Sequence, residues 1–147
     1  MRRFLTICAL ALVASSASAQ LPGLRKRGAP TQPVLQGIDA LRADFLTRSG
    51  SDTVYFGNGS AGLGPPTIAT LQAQAAWLRQ HPEVVVRIEG AGDPGDTRDH
   101  ALAMGARRAE EVRDYLVLLG VPAAQVTTTT WGNERPGTPR SVTVLVK

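Results

Sequence analysis

The sequence is poor in the residues that most often carry covalent and metal chemistry. It contains one cysteine and two histidines in 147 residues. Cys8 lies in an apolar run close to the N-terminus, so the rest of the chain has no thiol for a disulfide, a zinc site or a nucleophile. His81 and His100 are the only imidazoles, which makes a triad of nucleophile, base and orienting group hard to assemble. We therefore expect no enzymatic activity and no cofactor.

An excess of one charge is also missing from most of the chain. The formal net charge is +4 at pH 7, but Arg2, Arg3 and the cluster Arg25-Lys26-Arg27 contribute to it near the N-terminus. From Asp52 onward there are 9 Lys and Arg residues against 10 Asp and Glu residues. A near-neutral region without a basic stripe argues against nucleic acid as a partner.

The N-terminal apolar run is too short to span a bilayer as a helix, which takes about 20 residues. It extends from Phe4 to Val13 after two arginines, and small residues follow it up to Ala19. This pattern is typical of a secretory signal peptide over residues 1–19, with cleavage after Ala19. The alternatives are a buried N-terminal helix or a retained anchor, but Leu21-Pro22-Gly23 would break such a helix at once. We therefore predict a periplasmic protein without a membrane span.

The residues around the predicted cleavage site indicate neither a lipid anchor nor regular structure. Cys8 lies in the middle of the apolar run, with no small residue just before it, so lipid attachment is not expected. Residues 20–32 are rich in Pro, Gly and charge, which predicts a flexible leader. We interpret its Arg25-Lys26-Arg27 cluster as solvated, with contact to anionic lipid heads or to the wall as the alternative. Any association with the outer membrane is therefore expected to require a partner.

An amphipathic helix is predicted over residues 33–49. Its apolar residues recur at helical spacing before Gly50, and they are Leu35, Ile38, Leu41 and Phe45. One short helix is not stable alone in water. We therefore expect this stripe to be covered by the rest of the chain or by a partner.

Strand-like and helix-like segments alternate over the remaining residues. The predicted strands cover residues 53–56, 83–89, 126–131 and 141–146, and the predicted helices cover residues 66–80 and 99–119. A β-α-β-α-β-β order implies a mixed sheet with helices packed on one face. The predicted fold class is an α/β (α+β) two-layer sandwich, preceded by the N-terminal helix.

The most informative motif joins an acid to an arginine fifteen residues later. Asp93 follows Gly90-Ala91-Gly92 at the end of a predicted strand, and Arg108 lies near the third turn of the next predicted helix. The residues that occur in register are Asp93, Met104, Gly105, Arg108, Ala109, Val112 and Leu116. This ordered set resembles the OmpA-like peptidoglycan-associated domain, and the match covers about residues 52–147. The resemblance implies the OmpA C-terminal fold and non-covalent binding of peptidoglycan.

The resemblance also implies a role for the acid and the arginine. In the family this pair clamps the diaminopimelate of the peptide stem, whose side chain ends in an ammonium and a carboxylate on one carbon. Asp93 would accept hydrogen bonds from the ammonium, and Arg108 would hold the carboxylate with its planar fork. Replacing either residue by Ala should then remove most wall binding with a modest change in stability. The alternative is an internal Asp93–Arg108 salt bridge that fastens the loop to the helix.

Three further residues complete the predicted ligand site, and they are Asp99, Leu102 and Met104. Backbone N–H groups at the helix start, from Asp99 to Leu102, are candidate donors to the ligand carboxylate. Met104 belongs to the motif itself.

Three positions depart from the pattern common in the family, which has His at the position of Ala91, Gly at that of Asp96 and Asn at that of Ala101. The missing Asn removes a hydrogen-bonding side chain near the helix start. We therefore expect Ala101→Asn to tighten ligand binding by about 1 kcal/mol. Asp96 adds negative charge that favours a ligand ammonium and works against a carboxylate.

A metal loop is an alternative interpretation of the same segment, because Asp93, Asp96, Asp99 and His100 lie close together in the sequence. Their spacing fits no EF-hand. A helix start capped by Asp96 or Thr97 explains them more simply.

These observations leave more than one function class open. The first hypothesis is a peptidoglycan-binding module of the cell envelope, and the second is a protein-interaction module that keeps the fold and uses the helix over residues 33–49 to bind another envelope protein. The third hypothesis is a metal-assisted hydrolase. Trp77 and Trp131 are interpreted as core or rim aromatic residues rather than as sugar platforms.

Overall fold

The computed structural model describes residues 33–135, 137 and 139–146. The predicted signal peptide, residues 1–19, and the predicted leader, residues 20–32, lie outside the described residues. The helices are α1 (Pro33–Ser49), α2 (Pro65–Gln80) and α3 (Arg98–Leu118), with a short 3-10 turn at Ala123–Gln125. The strands are β1 (Thr53–Tyr55), β2 (Val86–Ala91), β3 (Val126–Gly132) and β4 (Arg140–Leu145).

The four strands form one mixed sheet in the order β1-β4-β2-β3. β2 and β3 are parallel, and β4 runs antiparallel to both β1 and β2. The predicted order of elements and the mixed α+β sheet are confirmed. The prediction for the second strand was early by three residues, since β2 begins at Val86, where its pairing with β3 and β4 begins. Before it, Val84 N donates to His81 O at 3.0 Å and closes a turn.

The hydrophobic core lies between the sheet and the helices α2 and α3. Strands and helices contribute to one cluster of buried apolar side chains, which includes Val54, Val86, Ile88, Val126, Leu71, Leu78, Val112 and Leu116. Side chains alternate between the two faces of a strand, so Val86 and Ile88 face the helices, and Arg87 and Glu89 lie on the other face. The helices therefore pack on one face of the sheet, as predicted.

Two glycines let α3 lie directly on β2. A Cβ on Gly90 would overlap the carbonyl of Gly105, and a Cβ on Gly105 would overlap the Thr130 hydroxyl. This close approach requires glycine because any larger residue would push the helix away from the sheet. It brings the next turn of α3, which carries Arg108, close to the end of β2.

Helix α1 packs on α2. The Phe45 and Trp77 rings meet edge to face with centroids 5.2 Å apart, and Trp77 Nε1 donates to Asp44 Oδ2 at 2.7 Å. Phe45 is fully buried. The chain itself therefore covers Phe45 and packs against Leu41 of the predicted stripe, and Trp77 is a core residue.

The ends of α3 follow from its local sequence. Thr97 is the N-cap, and its hydroxyl accepts from His100 N at 3.4 Å. After the helix, Gly120 has φ +92°, a conformation that favours glycine. Within the described residues, no helix is both long enough and apolar enough to cross a membrane.

Candidate functional site

Arg108 lies on the side of α3 that faces the end of β2, and its side chain is fully buried. Its guanidinium donates to three backbone carbonyls. Nε donates to Ser60 O at 2.8 Å, Nη1 to Ala91 O at 2.8 Å and Nη2 to Gly57 O at 3.1 Å. Nη2 also donates to Asp93 Oδ1 at 3.0 Å. The arginine therefore joins α3 to the end of β2 and to the loop after β1.

Asp93 follows β2 and is held from two sides. Its Oδ1 accepts from Arg108, and its Oδ2 accepts from Gly59 N at 2.7 Å. The side chain is 12% exposed. Because each carboxylate oxygen carries two lone pairs, Asp93 keeps acceptor capacity on its solvent side. The two hydrogen bonds thus fix the Asp93 carboxylate in place and leave it able to accept further hydrogen bonds.

The loop over residues 57–60 was not among the predicted site residues. Gly59 has φ +63°, a conformation that glycine adopts without strain, and its N–H points at Asp93. The Gly57-Asn58-Gly59-Ser60 sequence indicates a turn, which is the only signal in the sequence for this role. Which charged groups the turn contacts depends on the tertiary fold, since Gly59 and Asp93 are 34 residues apart.

Asp93 lines an open cleft of about 740 Å³. The cleft is formed by the loop after β1, the loop after β2 and the segment before β4. Its lining residues are Asn58, Gly59, Asp93, Pro94, Gly95, Asp96, Gly137 and Pro139. Such a concave surface with a fixed carboxylate on its wall suits a small cationic group.

The structure separates the other predicted site residues from this cleft. Asp99 is exposed on the first turn of α3. Leu102 is half-buried and packs against Gly132, and Met104 is buried. Of the five predicted residues, the structure therefore brings Asp93 and Arg108 together and leaves Asp99, Leu102 and Met104 outside the cleft lining.

Two of the predicted helix-start donors already have acceptors within the chain. The N–H groups of His100 and Ala101 are directed to the Thr97 hydroxyl and carbonyl, the second at 2.9 Å. The N-cap is Thr97, one of the two candidates. Asp96 Oδ2 lies 3.2 Å from His100 Nδ1. Within residues 33–135, 137 and 139–146, no group of three or more His, Cys, Asp or Glu side chains is arranged to hold a metal.

The expectation for Ala101 does not fit the structure. Ala101 is fully buried, and its backbone lies directly against Gly92, where a Cβ would overlap it. An Asn side chain at this position would therefore enter the packed contact between α3 and the end of β2 and would not face the cleft. Ala91 is also buried, and its carbonyl accepts from Arg108.

The expectation of a modest stability change for Arg108→Ala also needs correction. Removing a fully buried guanidinium would leave the Asp93 carboxylate and three carbonyls without their donor. The internal salt bridge weighed as an alternative is present. In this arrangement Arg108 presents no open edge for a two-bond contact with a ligand carboxylate.

A second group of charges lies on the open face of the sheet, and we call it the Glu89 cluster. Glu89 is 5% exposed and accepts from Arg87 at 3.0 and 2.9 Å, from Trp131 Nε1 at 2.9 Å and from Arg135 at 3.2 Å. The Arg135 guanidinium lies 3.6 Å from the centroid of the Trp131 ring. This stacking covers one face of the indole, which supports its interpretation as a rim aromatic residue.

Comparison with known proteins identifies the fold and the family. The model of the OmpA family matches residues 55–144. The peptidoglycan-associated lipoprotein of Mesorhizobium japonicum is 34% identical over 138 residues, which cover 90% of this chain and 77% of that protein. The protein of the same name from Rhizobium meliloti is 42% identical over 93 residues, 63% of this chain and 52% of its own length. The chain thus spans about half the length of several curated relatives that it matches.

Comparison with solved structures supports the same family and fold. The crystal structure of the peptidoglycan-associated lipoprotein from Burkholderia pseudomallei has 33% identity and a TM-score of 0.63, and the match covers 66% of this chain and 92% of that one. The C-terminal domain of Helicobacter pylori MotB has 18% identity and a TM-score of 0.60 over 65% of this chain and 84% of that one, which supports the fold alone. OmpA-like domains are non-enzymatic binding or structural modules, in agreement with the expectation that no reaction is catalysed. The resemblance to the OmpA-like domain is confirmed, and the chain belongs to the OmpA family.

Proposed function

We propose that this chain binds peptidoglycan non-covalently in the cell envelope, at the cleft beside Asp93. The observation that carries the proposal is the Asp93 carboxylate, held by Arg108 and Gly59 on the cleft wall. The names of the relatives support the ligand, since they are peptidoglycan-associated lipoproteins. The proposed contact is the diaminopimelate of the peptide stem, whose ammonium donates to Asp93.

Asp93 and Arg108 have different roles in this proposal. Asp93 meets the ligand, because it lines the cleft and keeps lone pairs for an ammonium. Arg108 is a positioning residue, because its buried guanidinium holds Asp93 and the loop over residues 57–60. Preorganisation of this kind lowers the entropy cost of binding.

Co-sedimentation of the mature protein with purified sacculi tests the proposal. The wild-type protein should pellet with sacculi at moderate salt, and Asp93→Asn should lose most of this binding, because an amide of the same size carries no charge for the ammonium. Asp99→Asn is the matched control, since Asp99 is an exposed acid outside the cleft lining. Thermal unfolding of each variant should be measured first, so that binding is compared below all midpoints.

A wild-type protein that stays in the supernatant would contradict wall binding. It would favour the second hypothesis, a protein-interaction module with the same fold. Equal loss of binding in Asp93→Asn and Asp99→Asn would place the contact outside the cleft and would contradict the role of Asp93.

The envelope location is also a proposal, based on the predicted signal peptide over residues 1–19. Several relatives are named lipoproteins, whereas the sequence of this chain predicts cleavage after Ala19 and no lipid on Cys8. Mass spectrometry of the exported protein should give Gln20 as the first residue. An added acyl mass or an intact Met1 would contradict this prediction.

A further inference from the structure

A second concave surface lies beside the Asp93 cleft, and we call it the β1 groove. It has a volume of about 520 Å³ and lies between β1 and the first turns of α2, with a lining that includes Ser51, Thr53, Tyr55, Gly57, Thr67 and Thr70. Among the residues that the structure describes, no charged residue lines it, since Asp52 before β1 and Arg140 opposite Tyr55 in β4 both lie outside the lining. The groove therefore suits an uncharged ligand.

The edge of β1 along this groove is not open to another strand. β1 is an edge strand, and its other side pairs with β4. Thr53 N and Thr53 O both bond to the Ser51 hydroxyl at 2.9 Å, and Tyr55 O accepts from Thr67 Oγ1 at 2.9 Å. A peptide that added itself to this edge would have to break these hydrogen bonds. The side chains of the groove are thus better suited to bind a ligand than its backbone.

The hydroxyls of the β1 groove offer hydrogen-bond acceptors. A hydroxyl has one proton and two lone pairs. The protons of Thr53, Thr67 and Thr70 are donated within the chain, at 2.8, 2.9 and 3.2 Å. Each oxygen therefore retains acceptor capacity, which matches a ligand rich in O–H and N–H donors.

Tyr55 adds an exposed aromatic residue to this lining. It is 59% exposed, whereas every other aromatic residue that the structure describes is buried or half-buried. A tyrosine combines a flat apolar ring with a polar hydroxyl. A pyranose ring is its counterpart, because it has an apolar C–H face and hydroxyl groups around its edge.

The β1 groove and the Asp93 cleft share one loop. Gly57 lines the groove and Gly59 lines the cleft, and two residues span at most about 7 Å. The Arg108 guanidinium, which holds Asp93, also lies 5.4 Å from the centroid of the Phe56 ring in the groove lining. A stem of three extended residues spans about 10 Å, which is enough to connect the two rims.

We propose that the β1 groove is a sugar subsite, which binds the N-acetylated disaccharide that carries the peptide stem while the diaminopimelate lies in the Asp93 cleft. The ligand class is an uncharged carbohydrate whose hydroxyl and acetamido groups donate to the threonine hydroxyls and whose ring packs on Tyr55. This inference rests on the proposed function of the cleft.

Titration calorimetry of the full mature protein with two soluble ligands tests it. The first ligand is a free stem tripeptide that contains diaminopimelate, and the second is the same tripeptide joined to its N-acetylated disaccharide. The wild-type protein should bind the second ligand about fivefold more tightly, the size of one aromatic contact. Tyr55→Ala should bind both ligands with the wild-type affinity for the free tripeptide, and Tyr55→Phe, which keeps the ring, should keep the gain. Leu118→Ala, at a 79% exposed position outside both linings, is the matched control and should behave as the wild type.

Thr70→Val gives a second variant, because valine has a similar shape without the acceptor, and it should lose about half of the fivefold gain. Equal binding of the two ligands by the wild-type protein, or a gain that Tyr55→Ala leaves unchanged, would overturn the sugar subsite while leaving stem binding intact. The same gain from a sugar-free peptide extended by two residues at its N-terminus would place a peptide in the groove and would also overturn it. Failure of both ligands to bind would remove the proposed function together with the inference.

Discussion

The Asp93–Arg108 pair and the Glu89 cluster use the same chemistry with opposite burial. In the first, the arginine is fully buried and the carboxylate lines a cleft. In the second, the carboxylate side chain is 5% exposed and its arginines, Arg87 and Arg135, are 43% and 50% exposed. Burying the cation leaves the anion available to a ligand, whereas burying the anion leaves cations on the surface. The difference indicates which of the two carboxylates is suited to bind an ammonium.

Arg108→Ala should lower the stability of the fold more than any other variant, and it tests most directly whether the buried arginine organises the cleft. It leaves a nearly buried carboxylate unpaired, which costs about 3–5 kcal/mol of unfolding free energy. Chemical denaturation of the purified variant measures this. Arg107→Ala on the exposed side of the same turn should change stability by less than about 0.5 kcal/mol. Equal, small effects of both variants would mean that the buried arginine does not organise the site.

Ala101→Asn tests the packing behind the cleft. Because Ala101 is fully buried against Gly92, an Asn side chain overfills the contact and buries an amide, with an expected loss of about 2–4 kcal/mol in stability. Ala103→Asn is the matched control at an exposed position of α3, where only helix propensity changes, by about 0.5 kcal/mol. The denaturant midpoints of the two variants measure these two losses of stability. Tighter stem-peptide binding by Ala101→Asn without loss of stability would show that this position reaches the cleft.

Glu89→Gln should have a smaller effect than Arg108→Ala, although Glu89 accepts four hydrogen bonds. The arginines that lose their partner are half exposed and can be hydrated, so we expect a loss of about 1–2 kcal/mol in stability. Sacculus binding should not change. Glu134→Gln, in the exposed pair with Arg98, should cost less than about 0.5 kcal/mol. Loss of wall binding in Glu89→Gln would assign a ligand role to the open face of the sheet.

Asp44→Asn should have the smallest effect on stability, and this effect should depend on pH. The hydrogen bond from Trp77 lowers the pKa of Asp44, with the nearby charge of Arg48 acting in the same direction. The folded state thus favours the ionised form, and this contribution to stability is present above the ordinary pKa and is lost as the pH falls through the lower folded value. The difference in melting temperature between wild type and Asp44→Asn should be constant near neutral pH and shrink below about pH 4. A difference that stays constant to pH 2 would contradict the ionised hydrogen bond.

The sequence was sufficient to predict the order of helices and strands, because each segment carries its own periodicity. The apolar residues of α3 recur on one face, and Thr97 and Gly120 mark its ends. The strand edges were less predictable. β2 begins where its neighbours begin to pair with it, and that pairing is a property of β3 and β4 as well as of its own residues.

The spacing of Asp93 and Arg108 was also sufficient to predict that the two side chains meet at the end of β2. The sequence did not predict that the Arg108 guanidinium is buried and closed to a ligand carboxylate. Its burial comes from residues 57–60, which are about fifty positions away in sequence. In the same way, Asp99, Leu102 and Met104 are close to the motif in sequence, but none of them lines the cleft in the folded chain.

Local pattern by itself therefore determined the elements, the family and the acid–arginine pair, since these depend on residues close in sequence or at a regular spacing. The tertiary structure alone decided which member of the pair faces the cleft, what covers α1, and why Ala101 is packed. These outcomes depend on burial, and burial is set by loops and helices that meet only after the chain has folded.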